Sequence, residues 1–157
     1  MASGEQGLGS GVVGLLTALC RELTRAPGPS ACLVSRVIGD VLVIVAAHTS
    51  DGRDLPLGHG YLISDYPPTR ATLESRTPLA LSLADPALDA GEAEILREFG
   101  YEDLLMIPLV AAGETWALVE VYRADGPPFG AEEVDEAVQV VGRFARLLDE
   151  LLAPPPR

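Results

Sequence analysis

The chain has 157 residues and a formal net charge of −12 at pH 7, a length that suits one domain with a sizeable core. Its 11 basic residues are all arginine and lie scattered, so there is no clustered cationic face for a nucleic acid, and no run is both long and charge-free enough to span a bilayer. The start shows no basic segment followed by an apolar stretch, so a cytosolic protein is expected, and without Lys or Asn in the chain Schiff-base catalysis through Lys is excluded.

Residues 1–9 are rich in Gly and Ser and read as a frayed lead-in, 10–153 as one domain, and 154–157 as a Pro-rich tail. Ser10 suits a helix N-cap. Behind it Val12, Leu16, Leu19 and Leu23 recur at helical spacing, and Ala26-Pro-Gly-Pro29 stops the run. Ala31–Val37 and Val41–His48 then predict a hairpin across Gly39-Asp40. Leu33 and Ser35 point away from Cys32 and Val34, and the second strand is apolar enough to expect burial on both faces. Cys20 and Cys32 lack CxxC spacing and a neighbouring His cluster, so they read as free buried thiols.

A long connection over residues 49–64 carries His59 between two glycines. A short helix follows, with Ser64 or Asp65 as its cap, Pro67 or Pro68 in its first turn, and an end near Ser75. Pro78–Leu83 predicts a strand. Asp89–Phe99 predicts an amphipathic helix closed by Gly100, with Ala93 and Leu96 inward and Glu92, Glu94, Arg97 and Glu98 in water. Strands Leu104–Val110 and Thr115–Arg123 pair across a turn containing Gly113. Strict alternation puts Trp116, Leu118, Glu120 and Tyr122 on one face and Ala117, Val119 and Val121 on the other. Glu120 in mid-strand reads as the mark of a solvated or helix-covered edge, with a ligand cation or an Arg as the other way to meet its charge.

Residues 130–153 predict the last helix. With Val134 at heptad position a, Val141 and Leu148 also fall at a, while Ala137, Phe144 and Leu151 fall at d, and e and g are apolar as well. That face is wide enough to cover a sheet and meet a second helix, either the N-terminal helix of the same chain or a helix of a second subunit.

Catalytic signatures are missing. There is no Gly-x-Ser-x-Gly elbow, His-Glu-x-x-His pair or phosphate-cradling loop, and only His48 and His59 are ready bases at neutral pH. No enzyme activity and no metal site are expected.

The run Gly100–Tyr122, two apolar strands around a tight Gly turn, is followed by Phe129-x-x-x-Glu133 at a helix start. Upstream lies Asp65-Tyr-Pro-Pro-Thr-Arg-Ala-Thr-Leu-Glu-Ser-Arg-Thr-Pro78, a short helix running into a strand. From about Ala31 to Leu152 this order of elements resembles a GAF domain, the small-ligand sensory module of signalling proteins. The resemblance implies an α+β fold of PAS/profilin-like type: a central antiparallel sheet of five or six strands, terminal helices on one face, and short helices and loops on the other. It places a ligand pocket between the sheet and the segments Tyr61–Ser75 and Asp85–Phe99.

The polar candidates there are Tyr61, Asp65, Tyr66, Thr69 and Arg70, joined from the sheet by Ser35, Met106, Trp116 and Tyr122. Similar domains often have Gly where Ala117 stands, so its methyl group is expected to narrow the cavity. The resemblance also implies a homodimer through the terminal helices, with Val134, Val141, Phe144, Leu148 and Leu151 as interface candidates. The output would lie in an effector domain or a separate partner protein.

No cofactor is identified. The cysteine that bilin-binding members use is missing between Tyr61 and Tyr122, which speaks against a covalent bilin, and the Gly-flanked His59 reads as a turn residue rather than a haem ligand. No cysteine follows Cys32, so the methionine-sulfoxide-reducing activity of one subfamily is not expected. Against the cyclic-nucleotide-binding pattern, Arg123 and Phe129 survive, whereas the Asn and the Asp-Glu pair do not. The alternatives kept beside a sensor are a ligand-free dimerisation scaffold and a cyclic-nucleotide-binding domain.

Overall fold

The computed structural model describes residues 9–28 and 30–155. The lead-in over residues 1–8, Pro29 and the end of the tail lie outside the described residues. Helix α1 (Ser10–Leu23) has Gly9 at its cap position and no side-chain cap, so Ser10 is the first helical residue rather than the cap. Val12, Leu16, Leu19 and Cys20 form its buried stripe. Its far end is tied down by Thr24, whose hydroxyl lies 2.9 Å from the Cys20 carbonyl oxygen and 3.0 Å from His48 Nδ1.

Strands β1 (Ser30–Ile38) and β2 (Val41–Thr49) form the expected hairpin, with Gly39 in the left-handed region at φ 59°. β2 does not lie buried on both faces. Leu42, Ile44 and Ala46 are buried while the residues between are only partly covered, because β2 lies one place from the sheet edge beside the three-residue β3 (Gly60–Leu62). A single 3-10 turn (Ile63–Asp65) leads into α2 (Pro67–Ser75), whose cap position is Tyr66; Ser64 and Asp65 do not cap it. Ser64 instead donates to Asp40 Oδ2 at 2.7 Å and so clips the segment to the β1–β2 turn.

β4 (Leu79–Ser82) follows, then α3 (Ala90–Phe99). Asp89 accepts the Gly91 and Glu92 backbone N–H groups at the start of α3, and Gly100 closes it at φ 81°. β5 (Asp103–Ala111) and β6 (Glu114–Arg123) pair across Ala112-Gly113, both at positive φ, as a two-residue hairpin turn of this hand requires. α4 (Ala131–Leu152) ends the fold.

The six strands form one antiparallel sheet in the order β3-β2-β1-β6-β5-β4. α1 and α4 pack side by side on one face, over Cys32, Val34, Leu105, Ile107, Val119 and Val121. The other face is roofed by α2, the 3-10 turn and α3, over Leu33, Ile44, Leu104, Met106 and Leu118. This is the α+β arrangement expected, with six strands.

Two irregularities decide where side chains point. In β5–β6, Leu109 pairs with Ala117 and Val110 with Thr115, so Trp116 has no partner of its own. This bulge resets the alternation. Trp116 joins Ala117 and Val119 on the helix face instead of following Leu118 and Tyr122, and the Arg36 guanidinium stacks 4.3 Å from its ring centroid. A second bulge, between Val34 and Ser35 against β2, leaves Val45 unpaired.

Candidate functional site

The polar groups of the roofed face converge on one cavity. Ser35, Glu120 and Tyr122 rise from the sheet, Tyr61 comes from β3, Tyr66 and Thr69 from the start of α2, and Glu92 from the first turn of α3. Leu33, Leu42, Ile44, Ile95 and Phe99 complete the wall. The free volume is about 20 Å³, room for about one water-sized group. Tyr61 and Tyr66 meet edge to face at 6.2 Å, and Phe99 meets Tyr122 at 5.5 Å, so rings form much of the lining.

Five of the nine candidates, Ser35, Tyr61, Tyr66, Thr69 and Tyr122, line this cavity. Met106 is buried behind them, with its Sδ 3.5 Å from the Thr69 hydroxyl. Asp65 and Arg70 are exposed, and Arg70 pairs with Glu74 at 3.1 Å. Trp116 is on the opposite face for the reason given above. Ala117 shares that face, so its methyl group fills helix-side core and takes no cavity volume.

Glu92 overturns an expectation. It is 1% exposed, not a water-facing residue of α3. It stands three and four residues before Ile95 and Leu96, on the stripe that faces the sheet. The Thr69 hydroxyl donates to its Oε2 at 2.6 Å, and the Tyr122 hydroxyl donates to Glu120 Oε2 at 3.0 Å. The Thr69 backbone bonds the Glu92 carboxylate as well, and among the described residues the buried side-chain atoms left without a partner are Asp103 Oδ1 and Arg123 Nε, not the Oε1 atoms of these two glutamates.

Burial is the main cause that raises both carboxyls, since it penalises the charged form. Glu120 keeps partial solvent contact yet is pushed up to about 8, with the Glu92 charge adding to burial and the Tyr122 hydroxyl pulling back. Glu92 moves up as well, where burial outweighs the Thr69 hydroxyl bond and Asp89 adds repulsion. The Tyr122 phenol is driven well above its usual range by burial and by Glu120.

A roomier hollow of about 270 Å³ lies on the helix side, between the end of α1 and the start of α4, where Arg123 and Glu133 are engaged with each other and Arg123 Nε is buried without a partner among the described residues. Arg123 Nη1 and Nη2 donate to the two carboxylate oxygens of Glu133 at 2.6 and 3.1 Å, and Nη2 also donates to the Pro127 carbonyl oxygen at 2.7 Å. The guanidinium lies 4.1 Å from the Phe129 ring centroid, and Glu133 Oε1 accepts the Gly130 N–H at 3.0 Å. Glu133 is held below its usual carboxylate range, chiefly by the Arg123 hydrogen bonds. The residues that match the cyclic-nucleotide pattern thus form a clasp on the start of α4, on the far side of the sheet from the cavity.

Both cysteines are fully buried in the helix-side layer, so neither fits thioether attachment of a bilin in the cavity. Neither histidine lines it: His48 bonds to Thr24 and His59 is exposed ahead of β3. Among the described residues no cluster of three metal-ligating side chains occurs, and no helix is long and apolar enough to cross a membrane.

Of the five interface candidates, Val141 and Leu148 are buried in the chain's own core at 3% and 0% exposure, already engaged by α1 and the sheet. Val134 and Phe144 are partly covered, and Leu151 is 51% exposed beside Leu147 at 47%. The helix-side expectation is therefore met first within the chain, by α1 packing on α4.

No curated protein sequence matches the chain. Solved structures similar to it include three GAF domains. The blue-light absorbing form of the Thermosynechococcus elongatus PixJ GAF domain superposes with a TM-score of 0.71 at 18% identity, covering 96% of this chain and 90% of that one. A phycoerythrobilin-bound GAF domain from a cyanobacterial phytochrome gives 0.76 at 15% identity, covering 94% and 91%. The GAF domain of a two-component sensor histidine kinase from Bacillus halodurans gives 0.71 at 12% identity, covering 88% and 93%. At these identities the likeness establishes the fold alone. The GAF domain family profile, however, matches residues 12–148, nearly the whole of the folded chain, and the chain belongs to the GAF domain family.

Proposed function

We propose that this chain is a cytosolic, non-catalytic sensory or regulatory domain. It takes up a small molecule between the sheet and its α2–α3 roof and signals through its terminal helices, which pair with those of a second copy. An effector domain or a separate protein reads the change. The observation that carries this reading is the convergence of Ser35, Tyr61, Tyr66, Thr69, Glu92, Glu120 and Tyr122 on one small void. Holding two carboxyls close together where burial disfavours their charge costs stability.

The coupling path is short. Along β6 the cavity residues Glu120 and Tyr122 alternate with Val119 and Val121, which pack under the helices. Along α4, Val140, Phe144, Leu147 and Leu151 follow i, i+4, i+7, i+11 spacing and are partly or mostly exposed, the first two also packing against the chain's own core. That stripe, rather than Val141 and Leu148, is the surface for a second copy.

Native mass spectrometry of the chain purified without added ligand tests both halves. A dimer carrying a reproducible small-mass adduct supports them. A monomer at high micromolar concentration refutes the pairing. A clean dimer transfers the reading to a ligand-free scaffold, which the 20 Å³ volume itself favours.

A further inference from the structure

Resting on the reading of the cavity as a ligand site, we infer that its ligand is a small aliphatic amine bound in the ammonium form. Two carboxylates, Glu92 from α3 and Glu120 from β6, open into one void, and no Arg or His is among the residues that line it. Anions such as phosphates or carboxylates meet repulsion there and no partner. Each carboxyl accepts a neighbouring hydroxyl through Oε2, Glu92 is bonded by the Thr69 backbone as well, and neither Oε1 is buried without a partner, so both carboxyls keep an oxygen open to the void. A primary ammonium group carries three N–H donors, enough to bridge both carboxyls and one hydroxyl, such as that of Ser35 on the wall. The void suits a group the size of water, which an ammonium head is and a quaternary ammonium is not.

The rest of the lining fits the remainder of such a ligand. The faces and edges of Tyr61, Tyr66, Phe99 and Tyr122 surround the void, and aromatic faces attract a cation by their quadrupole. Tyr61, Tyr66, Ile95 and Phe99 are all partly exposed, so they form the mouth through which a slim alkyl tail leaves. Bound charge also resolves the mutual repulsion of the two glutamates.

Binding is therefore coupled to protons. Glu120 must ionise, and the titratable groups that bear on it are Glu92 on α3, Tyr122 on β6, Tyr61 on β3 and Cys32 on β1. With Glu120 pushed up to about 8, affinity falls as pH drops below that value, approaching about tenfold per unit if one proton is displaced.

The test is calorimetric titration of the whole chain with propylammonium chloride at pH 6.5 and 8.5, beside sodium propionate, tetramethylammonium chloride and magnesium chloride at matched ionic strength. Propylammonium is expected to bind, more tightly at pH 8.5, and E92Q and E120Q are expected each to weaken it at least tenfold. Each variant's cooperative unfolding in urea shows that it is folded.

Propylammonium behaving as the tetramethylammonium or magnesium control does, or binding unchanged in both variants, overturns the inference. If the native mass spectrum then still carries an adduct that is not an amine, the ligand-binding reading survives without the amine. If there is neither adduct nor response to any probe, both fall.

Discussion

Replacing Glu120 by Gln is expected to flatten the domain's loss of stability in mild alkali. In the folded chain this carboxyl is raised from 4.5 to about 8, whereas in the unfolded chain it titrates near its ordinary value. Between those limits the folded state binds more protons than the unfolded one, so stability falls as pH rises, by up to about 1.4 kcal/mol per pH unit. The contribution is fully present below about pH 4.5 and lost on passing pH 8. Accumulated across the interval, the ceiling is about 5 kcal/mol. Partial solvent contact at Glu120 and water penetration reduce the expected effect to about 2–3 kcal/mol. Gln keeps an oxygen that accepts the Tyr122 hydroxyl and removes the charge that Glu92 repels. Urea unfolding from pH 5 to 9, followed by the single buried Trp116, measures the slope directly. E120Q should match the parent near pH 5, exceed it at pH 9, and leave the denaturant m-value unchanged. Parallel pH profiles in parent and variant would refute the reasoning.

L148A empties a fully buried site beneath α1 and is expected to cost about 2–5 kcal/mol in urea unfolding without changing the oligomeric state of the folded fraction. L151E on the exposed stripe is expected to do the reverse, shifting sedimentation from dimer to monomer while the monomer's stability moves by about 0.5 kcal/mol or less. E133Q removes the charge that the Arg123 clasp holds. With half of the glutamate exposed, the cost at pH 7 is about 1 kcal/mol or less. Because Glu133 is held below its usual range, its contribution is present above the ordinary carboxylate pKa and lost as pH falls through the folded value, opposite in sign to Glu120. A pH 3 to 7 unfolding series on parent and E133Q should therefore converge in acid.

What could be read in the chain was local. The Gly39-Asp40 turn, the Gly100 cap and the Pro-led α2 are set by side chains within a few residues of one another, and the structure has all of them. Trp116 was misplaced because alternation assumes an unbroken ladder, and the bulge opposite Val110 is a property of the β5–β6 pair rather than of either strand. Glu92 was misplaced because charge outweighed spacing: it stands on the stripe of Ile95, Leu96 and Phe99, so its burial was signalled by position and masked by its chemistry. The heptad assignment of α4 identified apolar positions, yet it could not say that Val141 and Leu148 turn to the chain's own sheet, since that depends on how α1 and β5 meet the helix.

Strand β6 is where these elements join. It pairs with both β1 and β5 at the centre of the sheet, and its successive residues face the cavity and the helix layer by turns. Its last residue, Arg123, carries the clasp on the start of α4. On the proposed reading, a cation drawn toward Glu120 would act on Tyr122, one residue from that clasp, through the hydrogen bond the two share. Close-packed interiors transmit small displacements instead of absorbing them, so a shift at Tyr122 has Val121 above it and Arg123 beside it as its outlets, and both lead to α4. Glu120, whose ionisation burial makes costly, thus sits on the central strand, between Val119 and Val121 of the helix layer.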